Sequence, residues 1–179
     1  GNVDLTEYNY FVEKIDLTDD NTNRITIKNI ADLGIGDYEF SIDDPFGPYQ
    51  DDTTFENVKP GVHTIYIRDK NSYYTYEYGC GIAQVDVSII GYKKYFTPNG
   101  DGINETWKIL GINSAFNAKS KVYIFDRYGK LLKQLDPLSD GWDGTYLGKP
   151  MPATDYWFRT YLEDGREVKG HFSLIRGKF

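Results

Sequence analysis

The stretch KVYIFDRYGKLLKQL, residues 121–135, has the pattern of a β-hairpin. The segments KVYIFDR (121–127) and LLKQL (131–135) have the composition of short strands. The connection RYGK (127–130) places Gly129 where a tight turn requires a positive φ. The sequence therefore predicts two strands joined by a short turn, and segments of this kind recur along the whole chain.

Segments of the same kind recur on both sides of this hairpin. Apolar residues alternate with polar ones, as Ile25 and Ile27 do with Thr26, which is the period-2 pattern of a half-buried strand. Turn sequences such as KPG and EDGR separate the segments, and no sustained helical stripe occurs. The further predicted strands are RITIKNI (24–30), DYEFSID (37–43), VHTIYIRD (62–69), AQVDVSII (83–90), DYWFRTYL (155–162) and HFSLIR (171–176).

Charge divides the chain into two halves. Residues 1–91 carry 17 acidic and 6 basic residues, a net charge of −11, whereas residues 92–179 carry 10 and 14, a net charge of +4. Each half is close in size to a seven-stranded immunoglobulin-like domain. We therefore expect an all-β chain with two immunoglobulin-like antiparallel β-sandwich domains in tandem, divided near residue 91.

The composition excludes several classes of protein. The acidic first half argues against nucleic-acid binding, and the second half is too weakly basic to restore it. No apolar run of about 18 residues is present, and no basic-then-apolar leader opens the chain, so we expect no membrane span and any export signal upstream. A single cysteine, Cys80, excludes an internal disulfide framework, and only His63 and His171 could join it at a zinc site.

The segment PNGDGINE (98–105) carries four oxygen-bearing side chains around two glycines. An EF-hand loop with Gly102 at its sixth position would have Thr97 first and Lys108 last, so that template fails. A shorter calcium loop and a turn held by hydrogen bonds from side chain to backbone both remain open, and the turn is favoured. The candidate calcium ligands are Asn99, Asp101, Asn104 and Glu105.

No catalytic constellation is evident in the sequence. Asp143, Asp155 and Glu105 are carboxylates that could pair, and Cys80 with His63 could form a thiolate couple. Neither set comes with an orienting third group, an oxyanion loop or a phosphate loop. We therefore predict that the protein is not an enzyme.

Aromatic residues form two further candidate sites. Trp142 and Trp157 flank the segment GWDGTYLGKPMPATDYWF (141–158) and could form a ligand platform, although core packing is favoured for both. In the same segment, Asp143 before Gly144, and Gly148 before Lys149 and Pro150, fit two consecutive turns. The segment YYTYEYGC (73–80) is either a binding loop or a hairpin. Its tyrosines are Tyr73, Tyr74, Tyr76 and Tyr78.

The second half contains four motifs in series. They are YFTPNGDGINETWKI (95–109), KVYIFDRYGKLL (121–132), GWDGTYLGKPMPATDYWF (141–158) and KGHFSLIR (169–176). In this order, over about residues 92–179, they resemble the type B C-terminal sorting domain of the type IX secretion system, also called the gliding-motility-associated C-terminal domain. Residues 37–71 with Gly79 and Cys80 are similar to the immunoglobulin-like repeats of large surface adhesins, from which the inserted SYYTYEY (72–78) departs.

The resemblance implies a function without substrate chemistry and without a cofactor. Calcium in the loop 98–105 stays a separate hypothesis. A domain of this family folds in the periplasm, is read by the outer-membrane translocon and carries its passenger, here a large adhesin, to the cell surface. Type B domains depend on a PorP-like outer-membrane protein. We expect a monomeric fragment, and the alternative is a carbohydrate- or surface-binding β-sandwich module stabilised by calcium.

The motifs also supply candidate recognition residues. Lys121, Arg127, Lys130 and Lys133 lie on or near one predicted hairpin and could form a basic patch. HFSLIR (171–176) is the last predicted strand, and as an edge strand it could pair with another protein. The predicted recognition residues are Pro98, Asn99, Gly100, Asp101, Gly102, Lys121, Arg127, Tyr128, Gly129, Lys130, Trp142, Asp143, Gly144, Phe172, Leu174 and Arg176.

Overall fold

The structure, a computed structural model, describes residues 8–18, 22–71 and 82–177. The chain forms two compact units, Gly1–Ile90 and Gly91–Phe179. In the described residues of both units, the regular secondary structure is almost entirely β-strand, and nearly all strand pairs are antiparallel. The all-β prediction is confirmed. Within the described residues, no helix is long and apolar enough to cross a membrane.

The described residues of the first unit form two three-stranded antiparallel sheets. One has the strand order β1-β2-β4 and the other the order β3-β5-β6. The inward residues of the strands form one hydrophobic core, in which Ile25, Ile65 and Val87 are fully buried. The elements are α1 (Tyr8–Phe11), β1 (Val12–Ile15), β2 (Arg24–Ile27), a 3-10 turn (Ile30–Leu33), β3 (Tyr38–Ile42), β4 (Thr54–Phe55), β5 (Gly61–Asp69) and β6 (Ile82–Ile89).

The second unit is built on a five-stranded sheet with the order β11-β10-β14-β15-β8. Two short antiparallel pairs, β7 with β9 and β12 with β13, complete it. Its strands are β7 (Gly91–Tyr92), β8 (Tyr95–Phe96), β9 (Ile109–Leu110), β10 (Lys121–Phe125), β11 (Leu131–Leu135), β12 (Thr145–Tyr146), β13 (Lys149–Pro150), β14 (Asp155–Tyr161) and β15 (Glu167–Leu174).

The last strand of the second unit is not an open edge along its whole length. Its residues Ser173 and Leu174 pair in parallel with Tyr95 and Phe96 of β8, and β14 pairs with its other side. The backbone N–H of Ser173 donates to the carbonyl of Lys94 at 2.9 Å. The expectation that HFSLIR offers a free edge is therefore wrong for its final residues, because β8 already pairs with them.

Alternation along β14 decides which aromatic residues enter the core. Tyr156, Phe158 and Thr160 are buried, whereas Trp157 is 41% exposed on the opposite face of the sheet. Trp157 and Phe125 are cross-strand partners on that outer face. The expectation that Trp157 belongs to the core is wrong, because successive side chains of a strand point to opposite faces.

The long predicted strands are all confirmed, with ends shifted by a few residues. The turn at Gly129 joins β10 to β11 with φ of 80°, and Gly165 at φ of 88° joins β14 to β15. The strands that the sequence analysis missed are mostly two-residue pairs. Such short pairs have no periodicity to detect, because two residues are too few to show alternation.

Candidate functional site

An aromatic cluster holds the last strand of the second unit in its core. Phe172 is fully buried and stacks on Trp107, with ring centroids 3.9 Å apart and planes inclined by 12°. Trp142, 2% exposed, lies beside Phe96 and Tyr156 at centroid distances of 5.7 and 5.0 Å. Such contacts add to the free energy gained by burying the ring surface. The cluster therefore joins residues from both ends of the unit.

The two tryptophans of this cluster are also fixed by hydrogen bonds. The indole N–H of Trp107 donates to the carbonyl of Lys93 at 2.9 Å, and that of Trp142 donates to the carbonyl of Thr145 at 2.8 Å. Their backbones form a reciprocal antiparallel bridge at 3.0 and 2.8 Å. Because their polar groups are satisfied, both indoles can remain fully buried. A ligand platform at Trp142 is therefore ruled out in the folded unit.

Arg176 ties the segment after β15 to the turn that follows Trp142. Its Nε donates to the carbonyl of Met151 at 3.0 Å, and its Nη2 donates to the carbonyl of Gly144 at 3.1 Å. Gly144 has φ of 78°, and a Cβ there would lie 2.6 Å from Leu174 Cδ1. This turn thus requires glycine both for its conformation and for close packing against β15.

The recognition residues predicted in this region divide by burial. Trp142, Phe172 and Leu174 are core residues, so a partner cannot contact their side chains in the folded unit. Gly144 and Arg176 hold the turn and the C-terminal segment together. These three buried side chains can affect recognition only through the fold of the unit.

The loop 97–105 is held by its own side chains. Asp101 Oδ1 accepts the backbone N–H of Ile103 at 2.7 Å, and Asn99 Oδ1 accepts that of Asp101 at 3.1 Å. Glu105 Oε1 accepts the N–H of Gly102 at 3.0 Å. Gly100 and Gly102 both have φ of 83°, with open space around the position of a Cβ. Pro98 precedes these turns. In the same loop, the backbone N–H of Thr97 donates to the carbonyl of Asn104 at 2.8 Å.

The four candidate calcium ligands already have hydrogen-bond partners in this loop. The Asn99 Nδ2 donates to Asp101 Oδ2 at 2.8 Å, and Lys93 Nζ donates to Asn104 Oδ1 at 2.5 Å. The bond from Asn99, followed by that from the Ile103 N–H, lowers the pKa of Asp101. Across residues 8–18, 22–71 and 82–177, no group of three or more His, Cys, Asp or Glu side chains could hold a metal ion.

The turn Asp126–Lys130 is the tip of the hairpin predicted from the sequence. The Asp126 carboxylate accepts the backbone N–H groups of Tyr128 and Lys130 at 2.8 and 2.9 Å. The N–H of Gly129 donates to the carbonyl of Asp126 at 3.0 Å. These bonds leave the Arg127, Tyr128 and Lys130 side chains exposed at a rigid tip.

A second tip, Tyr146–Lys149, lies beside the first; the sequence indicated a turn at Gly148 but not that the two turns lie together. The Lys130 ammonium nitrogen is 4.7 Å from the centroid of the Tyr146 ring, a cation–π contact that joins the two tips. Leu147 and Gly148 form the two-residue loop between β12 and β13, with φ of 51° and 76°. The turn signal in the sequence is Gly148 before Lys149 and Pro150. Leucine is unusual at the first position of such a two-residue loop.

The predicted basic patch is only partly assembled. Lys121, Arg127, Lys130 and Lys133 are all exposed in the β10–β11 hairpin. Arg127 and Lys130 share the tip, whereas Lys121 lies at the opposite end of β10, beside Tyr161 of β14. The tip therefore holds two of these four cations, Arg127 and Lys130.

The residues weighed for catalysis are engaged in separate local contacts. The Thr145 N–H donates to Asp143 Oδ1 at 3.0 Å, and the Ser173 hydroxyl donates to Asp155 Oδ1 at 2.5 Å. In the first unit, His63 Nδ1 lies 2.7 Å from Asp43 Oδ2, and His63 Nε2 lies 2.7 Å from the carbonyl oxygen of Lys59. Cys80 lies outside the described residues, as do Tyr73, Tyr74, Tyr76 and Tyr78.

Comparison with known families identifies the second unit. Residues 90–174, just under half of the chain, match the family described as the CHU_C type IX secretion signal domain. This segment is therefore a type IX secretion signal domain, which confirms the resemblance drawn from its four motifs. The family is a sorting domain without enzymatic activity, and the protein is exported through the periplasm and outer membrane to the cell surface or beyond.

Three solved structures are similar to the chain at low identity. A biofilm-associated protein BSP domain is 15% identical, covering 94% of this chain and 30% of its own, with a TM-score of 0.32. Dimeric latent PorU from Porphyromonas gingivalis is 15% identical over 93% and 20%, with a TM-score of 0.34. Tp47, the 47-kilodalton lipoprotein of Treponema pallidum, is 9% identical over 92% and 49%, at 0.30. The chain thus spans half or less of each, and no curated protein matches it.

Proposed function

We propose that this protein is the sorting end of a large cell-surface adhesin, delivered by a type B signal domain. In this proposal, residues 92–179 are read by the type IX outer-membrane translocon together with a PorP-like outer-membrane protein. Residues 1–91 form an adhesin repeat, and both domains are immunoglobulin-like sandwiches. The fragment acts as a monomer, without nucleic acid and without a catalytic site.

The family match over residues 90–174 carries this proposal. The structure supports a signal that is read in the folded state, because Phe172 and Arg176 tie the last residues into the body of the unit. A preorganised surface also loses little conformational entropy when a partner binds. The two antiparallel sheets of the first unit support a sandwich there.

The exposed members of the predicted recognition set are proposed as direct contacts. They are Lys121, residues 99–102 of the loop and residues 127–130 of the hairpin tip, whereas the exposed Arg176 holds the turn at Gly144. Asp143 supports its turn by accepting both the N–H and the hydroxyl of Thr145, and therefore acts on recognition through conformation. We propose that the loop 97–105 works as a hydrogen-bonded turn, and calcium binding there is the competing hypothesis.

An export assay tests the proposal. The full chain is fused behind a signal peptide and a fluorescent reporter and expressed in a bacterium with an intact or a deleted type IX translocon. We expect surface or medium fluorescence that requires the translocon. A second fusion carrying residues 91–179 alone should retain export, whereas a fusion carrying residues 1–90 should stay in the periplasm. Export of all three without the translocon would reject the sorting role.

The carbohydrate-binding alternative keeps a different test. Its tryptophan candidate Trp142 is buried, so the hypothesis now depends on the tyrosines of residues 73–78. A glycan array probed with the full chain separates the two functions, since sorting requires no affinity for glycans. Reproducible binding that is lost when those tyrosines are changed to serine would establish the alternative for the first unit.

A further inference from the structure

Two neighbouring hairpin tips form one small surface in the second unit. The first tip is residues 126–130 and the second is residues 146–149, and we call them together the paired tips. The Lys130 ammonium group lies over the Tyr146 ring at 4.7 Å and connects them. Hydrogen bonds from the backbone to Asp126 hold the first tip, and the β12–β13 pairing holds the second.

The paired tips present the most exposed large apolar side chains of the described second unit. Tyr128 is 86% exposed and Leu147 is 83% exposed. Neither contributes to the core, although burial of such side chains is the main source of stability. Aromatic residues and arginine are also the residue types that dominate binding energy at protein interfaces, and Arg127 stands next to Tyr128.

Leu147 has a left-handed backbone conformation, which leucine rarely adopts. Its φ of 51° and the φ of 76° at Gly148 define a two-residue turn of type I′. Asn, Asp or Gly is preferred at the position of Leu147, because a larger side chain meets its own backbone there. Stability therefore explains neither the choice of leucine nor its exposure, whereas a binding contact explains both.

The charge of this surface selects an acidic partner. Arg127, Lys130 and Lys149 are all exposed, whereas the Asp126 carboxylate is turned to backbone N–H groups. The formal charge of these four residues is +2, and the second half of the chain is also positive overall. Electrostatic complementarity of this kind steers association and excludes other partners.

We propose that the paired tips are the docking surface for an outer-membrane protein of the type IX machinery. Its matching surface is acidic and surrounds an apolar recess that receives Leu147 and Tyr128. This inference rests on the proposed function and adds the residues that make the contact. A protein is favoured over a lipid surface because membrane affinity scales with inserted apolar area, and two side chains on rigid turns supply little.

A double substitution, Leu147→Asn with Tyr128→Asn, tests the contact in the full chain. Asparagine suits the turn at position 147, so the thermal midpoint should stay the same or rise. Translocon-dependent export of the reporter should nevertheless fall at least about tenfold, as expected on losing an interface anchor. Leu138→Asn, at an exposed leucine in a different turn, is the matched control and should leave export unchanged.

Charge reversal provides a second arm. Arg127→Glu with Lys130→Glu should also reduce export, whereas Lys108→Glu with Lys119→Glu changes the net charge equally and should not. Both control lysines are exposed and lie outside the paired tips. Equal export of wild-type protein and both paired-tip double variants would overturn the docking surface while leaving the sorting function intact.

A membrane contact is distinguished by vesicles. The full chain and the Leu147→Asn, Tyr128→Asn variant are sedimented with phosphatidylethanolamine vesicles, with and without phosphatidylglycerol. We expect neither protein to bind. Binding by the wild type that the double variant loses would overturn a protein partner in favour of lipid. Wild-type export that does not need the translocon would overturn both the sorting function and the docking surface that rests on it.

Discussion

Single residues of the second unit serve either conformation or packing, and Gly144 serves both. Its φ of 78° lies in the left-handed region, and β15 approaches it so closely that no Cβ fits. Gly148 has nearly the same φ, 76°, but nothing lies within 4 Å of where its Cβ would be. The two positions therefore separate the cost of an unusual backbone from the cost of a steric clash.

Replacing Gly144 by alanine should destabilise the second unit more than replacing Gly148. Gly148→Ala costs about 1–2 kcal/mol for the left-handed backbone. Gly144→Ala adds the displacement of Leu174 Cδ1, 2.6 Å away, for a total of about 2–5 kcal/mol. Urea unfolding of both variants measures the difference. Equal losses would show that Leu174 moves aside freely.

The loop 97–105 should depend on pH through Asp101. Its pKa is lowered by hydrogen bonds from Asn99 and from the Ile103 N–H, so ionisation stabilises the folded loop. The effect is complete above the unfolded pKa of about 3.9 and is lost as pH falls through the lower folded pKa. Amide NMR shifts of Ile103 should therefore change only in acid, and Asp101→Asn should remove that titration.

Calcium should not stabilise the second unit if the loop is a hydrogen-bonded turn. The carboxylates of Asp101 and Glu105 already accept backbone N–H groups within the loop. Thermal unfolding with calcium chloride and with a chelator should therefore give the same midpoint. A midpoint that rises with calcium, and fails to rise in Asp101→Asn, would establish the metal site instead.

At the scale of elements, β15 is central to the second unit because it pairs with a strand on each side and packs side chains into the core. It pairs with β14 along its length and with β8 at its end. Its inner residues Phe172 and Leu174 are buried, whereas His171 faces out beside Trp157. One strand thus presents a structural face and a solvent face, and substitutions on the two should differ in cost.

Phe172→Ala should unfold the second unit or nearly so. Removing a fully buried ring costs about 3–5 kcal/mol, a large part of the stability of a domain of this size. Trp157→Ala, on the outer face of the same sheet, should cost about 1 kcal/mol or less. Guanidinium unfolding followed by fluorescence measures both. A similar cost at the two positions would contradict the assignment of inner and outer faces.

At the scale of the molecule, the two units have separate cores and opposite charge. The first core contains residues from Phe11 to Ile89, and the aromatic cluster of the second contains residues from Phe96 to Phe172. The first half of the chain is acidic and the second is basic. The two units therefore differ in the charge of the partners that they would attract.

Truncation after Gly170 should remove the fold of the second unit and leave that of the first. The shortened chain lacks Phe172, Leu174 and Arg176, which close the aromatic cluster and the turn at Gly144. Methyl NMR signals of Ile25 and Val87 should keep their native shifts, while those of Val122 and Ile124 collapse to unfolded positions. Native shifts throughout would show that β15 is dispensable for folding.

The longer strands, the hairpin at 121–135 and the family of the second unit could be predicted from the sequence. Alternation and turn glycines are local signals, and the four motifs stand in order along the chain. The sequence also indicated the loop 98–105 and the tip at Gly129 as turns, because their residue types favour those conformations without help from distant contacts.

Which side of each strand is buried, and which turns lie together, follows from the three-dimensional packing and could not be read from local patterns. Trp142 and Trp157 look alike in the sequence, yet one closes the core and the other faces out. The parallel pairing of β15 with β8 and the contact of Lys130 with Tyr146 join residues far apart in the chain. The physical reason is that a local pattern specifies a strand or a turn, whereas burial and adjacency depend on the packing of all elements around one core.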